Sequence, residues 1–167
     1  MKAERINGII LDLRGNTGGF LGTAMEISNF FLEGGQSIVY TEGLKSPKRI
    51  ERATGAGFYK KGPLVVMIDE NSASASEIVA GAIQDWDRGV IIGRRSFGKG
   101  LVQQIMPLND GSQLRLTIAR YHTPSGRVIQ SPYEAGESEK YYRSSVERYA
   151  KGEMFSKDSI SFPDSLK

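Results

Sequence analysis

Leu64-Val-Val-Met-Ile68 is apolar at every position, and no other feature constrains the fold of the 167-residue chain more. A strand with one face in water alternates apolar and polar residues, whereas an unbroken apolar run is buried on both faces. Gly8-Ile-Ile-Leu-Asp-Leu13 and Val90-Ile-Ile92 are shorter runs of the same kind. Helical periodicity lies between them. From Phe20 to Glu33, Leu21, Ala24, Met25, Ile27, Phe30, Phe31 and Leu32 form one stripe, closed by Gly34-Gly35. Ser74–Trp86 carries Ile78, Val79, Ala82 and Ile83 on one face. Buried strands alternating with helices predict an α/β fold, with a mostly parallel core sheet flanked by helices. Ser37–Thr41 reads as a further strand, and residues 42–62 as a loop or exposed hairpin. Leu101–Ile105 and Gln113–Arg120 flank Asn109-Asp110-Gly111, a turn signal, and read as an additional antiparallel β ribbon.

Past residue 131 the composition shifts to charged residues and tyrosine. The expected organisation is a core over 1–131 and an extension over 132–167, with a surface helix within Gly136–Gly152 and a polar final stretch. Met1 leads through Lys-Ala-Glu-Arg almost directly into the first core strand, so the core is expected to be truncated at its N-terminus.

Composition narrows the chemistry. There is no cysteine, which excludes disulfides, thiol catalysis and thiolate metal sites, and there is one histidine. The net charge of +3 comes from basic residues interspersed with acids, so no nucleic-acid partner is expected. No apolar stretch reaches the roughly 18 residues of a membrane span, and no signal peptide is recognisable. With so few nucleophile–base pairs available, a serine activated by a lysine is the favoured pairing.

Two segments supply that pair. Ser72-Ala-Ser-Ala-Ser-Glu77 lies where a buried strand turns into a helix. Ser74 with Glu77 fits a capping box, which is a structural role by itself. A hydroxyl at a helix start also lies beside unpaired backbone N–H groups that can stabilise an oxyanion. Phe97-Gly98-Lys99-Gly100 puts a lysine between glycines, where adjoining strands are expected to draw it inward. Burial favours the neutral amine that a base requires. Gly93 to Lys99 has the spacing of a phosphate-binding P-loop, but Gly100 replaces the magnesium-binding hydroxyl and the residues that follow read as strand. P-loop-like nucleotide binding is therefore the weakest alternative. Asp12-Leu-Arg-Gly-Asn-Thr-Gly-Gly19 is a strand end opening into a glycine loop, either a tight turn or a source of a second oxyanion donor. His122, in Tyr-His-Thr-Pro, gives no reason to be preferred to Lys99.

Four blocks in order resemble the C-terminal processing peptidases, also called tail-specific proteases: residues 11–19, 72–78, 97–103 and 119–126. The resemblance implies Ser74 as nucleophile, Lys99 as base and Gln103 as the residue orienting that lysine. It implies oxyanion donors at Ala75 and at Gly18 or Gly19. Thr17 departs from the proline common at that place. The implied activity is endopeptidase cleavage near protein C-termini through an acyl-enzyme, with no metal or cofactor. The implied fold is crotonase-like. Implied partners are a protein or peptide substrate with a free C-terminus and a PDZ-like domain upstream; separately, the unpaired edge of a truncated parallel sheet makes a homo-oligomer an expectation. The implied location is periplasmic or otherwise extracytoplasmic. A catalytically silent module that binds peptides on the same fold is the alternative from a different class.

Overall fold

The computed structural model describes residues 6–132 and 138–156. Contacts divide the chain into two compact units, Met1–Ser131 and Pro132–Lys167. The first unit runs β1 (Ile9–Asp12), α1 (Leu21–Phe31), β2 (Ser37–Gly43), β3 (Ser46–Arg52), β4 (Leu64–Ile68), α2 (Ala75–Asp85), β5 (Val90–Gly93), β6 (Leu101–Pro107) and β7 (Gln113–His122).

Two sheets result. One is a three-stranded parallel sheet in the order β1-β4-β5, with Ile10 opposite Val65 and Val65 opposite Val90. The other is a four-stranded antiparallel sheet in the order β3-β2-β7-β6. The α/β class and the parallel sheet agree with the sequence reading, but the sheet balance does not. The expected ribbon is one half of a larger antiparallel sheet, so the described strands are not mostly parallel. The residues read as loop or hairpin contain β3, which pairs with β2 through Tyr40↔Ile50 and Thr41↔Arg49.

The core lies on one side of the parallel sheet. Leu64 and Val66 of β4 meet Ala24 and Phe31 of α1, Ile38 and Val39 of β2, and Ile78, Val79, Ala82 and Ile83 of α2, all buried. The opposite face, which carries Ile10, Val90 and Ile92, is open: these side chains are 68%, 59% and 52% exposed. Helix α2 packs on α1, on β2 and on β5, and so joins the two sheets. Trp86 at its end donates its indole N–H to the Ser37 carbonyl of β2 at 2.8 Å.

The second unit contains α3 (Ser138–Ala150), inside the expected surface helix; residues 136, 137 and 157–167 lie outside the described residues. The Arg148 guanidinium bonds the Glu153 carboxylate at 2.7 Å, and Tyr149 meets Phe155 edge to face.

Candidate active site

Strand β4 ends at Ile68, and the chain turns through Asp69–Ser74 before α2 begins. The three serines at this junction, Ser72 and Ser74 in the turn and Ser76 in the first turn of α2, have different environments. The Ser72 hydroxyl is fully buried and donates to the Leu13 carbonyl at 2.8 Å. The Ser76 hydroxyl donates to the Asn16 carbonyl at 3.1 Å. The Ser74 hydroxyl oxygen faces the Glu77 N–H in a capping box and donates to no other group among the described residues. The Ser74 carbonyl also accepts the Glu77 N–H, at 2.9 Å. Ser74 has φ +56° and ψ −115°, a backbone strained for a residue with a side chain. Among the described residues, the Ala75 N–H beside it has no hydrogen-bond partner.

The glycine loop after β1 lies against this turn. A Cβ on Gly18 would stand 2.7 Å from Ser74 Cβ and 2.8 Å from the Ala75 nitrogen. Gly18 also has φ +97°, so only glycine suits both the conformation and the space. The Gly18 N–H is engaged by Asn16 Oδ1 at 2.9 Å. The Gly19 N–H has no partner among the described residues. The loop is tied to the serine turn by Ala73 N–H donating to the Asn16 carbonyl at 3.0 Å and Gly15 N–H donating to Asp69 Oδ1 at 2.9 Å. Burial works to raise the Asp69 pKa, but the donors from Gly15, Asn71 and Ser72 outweigh it and hold the carboxyl below its ordinary range.

The lysine segment is fixed to the same turn by Glu77. Its buried carboxylate accepts the Ser74 N–H at 2.8 Å, the Ser96 hydroxyl at 2.7 Å, the Gly98 N–H at 2.6 Å and the Lys99 N–H at 2.8 Å. One side chain thus holds the backbones of Ser74 and Lys99 together. Sequence reasoning saw Glu77 only as the far half of a capping box. Two further bonds support the segment: Phe97 N–H to the Ser72 carbonyl at 3.0 Å, and Gly100 N–H to Gln130 Oε1 at 2.9 Å.

The Lys99 side chain is exposed, contrary to the inward placement expected from its flanking glycines. Glu77 captures its backbone, and no described side chain hydrogen-bonds its amine. Gln103 lies on β6. Its side-chain amide lies 3.5 Å from the Thr117 hydroxyl across the β6–β7 pair, next to a register shift between Val102 and Gln103. His122 stacks on Tyr40, with ring centroids 4.6 Å apart. The P-loop look-alike leads into β6 rather than a helix, so Lys99 lacks the helix N-terminus that would cradle phosphate. Among the described residues no cluster of His, Asp and Glu could hold a metal ion.

Peptidase family S41 matches residues 1–134. A carboxy-terminal-processing protease of Bartonella bacilliformis is 49% identical over 129 residues, which cover 76% of this chain and 29% of that protein. The chloroplastic carboxyl-terminal-processing peptidase 3 of Arabidopsis thaliana is 44% identical over 128 residues, covering 75% of this chain and 24% of that protein. Among solved structures, a photosystem II D1 C-terminal processing protease superposes with a TM-score of 0.71 at 38% identity, over 75% of this chain and 32% of that one. The chain therefore spans between about a quarter and a third of the length of these relatives. With most of its length inside the family's pattern and the four motif blocks in order, the chain belongs to peptidase family S41.

Proposed function

We propose that the intact protein is a serine endopeptidase that cuts protein substrates near their C-termini. The observation that carries this reading is the difference among the three serines. Ser72 and Ser76 donate their hydroxyl protons to the glycine loop, while the Ser74 hydroxyl, an acceptor in the capping box, donates to no described group and stands on a strained backbone beside the Ala75 N–H.

Ser74 Oγ attacks the scissile carbonyl carbon while the neutral amine of Lys99 takes its proton. Charge develops on the carbonyl oxygen, and the N–H groups of Ala75 and Gly19 receive it. Gly19 is the better second donor because the Gly18 N–H is already engaged by Asn16. Collapse expels the new amine, which takes the proton from Lys99, and leaves an acyl group on Ser74. Lys99 then activates the water that releases it. Lys99 is exposed and Gln103 is turned to Thr117, so in this reading substrate burial brings Lys99 Nζ to Ser74, with Gln103 orienting the amine.

The catalytic core is assigned to 1–131, with 132–167 as an extension, and its parallel sheet is read as part of a crotonase-type core. Relatives named as chloroplastic, and the family resemblance, support an extracytoplasmic location. A PDZ-like domain that captures the substrate tail and a homo-oligomeric state are part of the same proposal.

A fluorophosphonate probe tests it. The intact protein is expected to be labelled at Ser74 alone and to hydrolyse peptides. Ser74→Ala should lose both label and turnover. Lys99→Arg should lose turnover, because a guanidinium stays protonated and cannot act as the base. A folded protein with no adduct at Ser74 supports the silent peptide-binding module instead.

A further inference from the structure

The two proposed oxyanion donors stand on segments far apart in sequence, Gly19 on the loop after β1 and Ala75 at the start of α2. Tertiary bonds must set the distance between them. One of them ends on Asp69 Oδ1, an atom that also gathers the N–H groups of its own turn. It accepts the Gly15 N–H at 2.9 Å, the Asn71 N–H at 3.0 Å and the Ser72 N–H at 3.1 Å, and Ser72 Oγ lies 3.3 Å away. The Asp69 N–H in turn donates to Ser72 Oγ at 2.9 Å, and that hydroxyl donates to the Leu13 carbonyl. The glycine loop and the serine turn are thus latched across one carboxylate.

Resting on the reading of Ser74 as nucleophile, we propose that Asp69 is a positioning residue for the oxyanion hole. Its Oδ1 holds the glycine loop in register with the serine turn, so that the Gly19 and Ala75 N–H groups point at a single oxygen. The role is that of a fixed acceptor, not of a charge. The donors to Asp69 Oδ1 are neutral N–H groups, the Ser72 hydroxyl proton going to Leu13, while the nearby guanidinium groups make their hydrogen bonds elsewhere: Arg14 bonds Asp12 at 2.8 Å and Arg94 bonds Glu70 at 2.6 Å. An amide oxygen at the same place serves equally well. A methyl group leaves the Gly15 and Asn71 N–H groups without their acceptor, while the Ser72 N–H keeps the Asp69 carbonyl at 3.0 Å, and a longer acid moves the acceptor off its place.

The test compares Asp69→Ala, Asp69→Asn and Asp69→Glu in the intact protein. For each, kcat and KM are measured on one peptide substrate, together with the Ki of the aldehyde of the same peptide. The hemiacetal oxygen formed on Ser74 needs the same two donors as the transition state. Asp69→Ala and Asp69→Glu are expected to lower kcat by about 10- to 100-fold, below the loss for deleting an oxyanion donor outright. KM should stay within about twofold, and Ki should rise by the same factor as kcat falls, since such an analogue tracks transition-state binding. Asp69→Asn should stay within about threefold of wild type in all three. A purely structural role would not separate Asn from Glu in this way. If Asp69→Ala does not fold, the Asn and Glu variants carry the test alone. Wild-type kcat and Ki in the Ala or Glu variant, a loss confined to KM, or an Asn variant as impaired as Glu overturns the proposal while Ser74 labelling stands. A wild-type protein that neither labels nor turns over overturns it together with the proposed function.

Discussion

Ser74 and Glu77 are three residues apart, and much of the site follows from that pair. The positive φ of Ser74 is a cost of order 1–3 kcal/mol. Glu77 opposes it by bonding the Ser74 N–H and, with the same carboxylate, two N–H groups and a hydroxyl of the lysine segment. A buried donor left without its partner costs roughly 1–3 kcal/mol. Glu77→Ala is therefore expected to lower unfolding free energy by about 3 kcal/mol or more and to reduce kcat at least tenfold, read by urea unfolding and peptide turnover. Glu77→Gln should also be impaired, because its NH2 would face donors. A glutamine variant with wild-type stability and rate would refute the hub. The near half of this hub was legible in sequence, since a capping box is a spacing of three. The far half was not, because its bonds reach 19 to 22 residues along the chain, and the Asp69–Gly15 latch spans 54. Local spacing carries no sign of such pairs. In the sequence Ser74 is separated from its neighbours only by resemblance, because the carbonyls that take the Ser72 and Ser76 hydroxyls lie about sixty residues away.

At the scale of elements, unbroken apolar runs identified β1, β4 and β5, and the helical stripes identified α1 and α2. Ser46-Pro-Lys-Arg-Ile-Glu-Arg52 has neither an apolar run nor clean alternation, so the sequence leaves it between loop and exposed hairpin, and the hairpin is what forms. The segment is an edge strand, and proline and charge are what protects such an edge from pairing with another chain. The C-terminal end of α2 has an ionic tie that pattern reading also passed over. The Asp85 side chain, 5% exposed, accepts the Ser125 N–H at 2.9 Å and pairs with the Arg127 guanidinium. Burial tends to raise its pKa, and the bonds from Thr123, Ser125 and Arg127 outweigh that and hold it below the ordinary 3.8. A carboxyl lowered on folding contributes stability above its unfolded value and loses it as pH falls through the folded value. Asp85→Asn should thus be less stable than wild type at pH 7, by about 1 kcal/mol for a pair still partly in contact with water. The gap should close steadily below the ordinary carboxylate range. Urea midpoints at pH 7 and along an acid series check this, and a gap that persists unchanged in acid would assign the tie to packing.

For the molecule as a whole, the open side of the parallel sheet dominates behaviour. Parallel sheets are otherwise covered on both faces. Here Ile10, Val90 and Ile92 form an exposed apolar patch with Val65 and Met67 between them in register. Such a patch seeks cover, and in the 167-residue chain alone a second copy can supply it. That chain is expected to sediment as dimers or larger species. Ile10→Lys combined with Ile92→Lys should shift it toward monomer, and an unchanged distribution would move the contact elsewhere.

Helix α2 belongs to both sheets and begins next to the proposed nucleophile, which gives the molecule a built-in gauge of its own integrity. Loss of either sheet removes packing from the same helix, so the Ser74 environment cannot survive partial melting. The rate of covalent labelling at one hydroxyl then measures the population of fully folded molecules. Followed against urea, it should fall in one step, together with the circular dichroism of the helices.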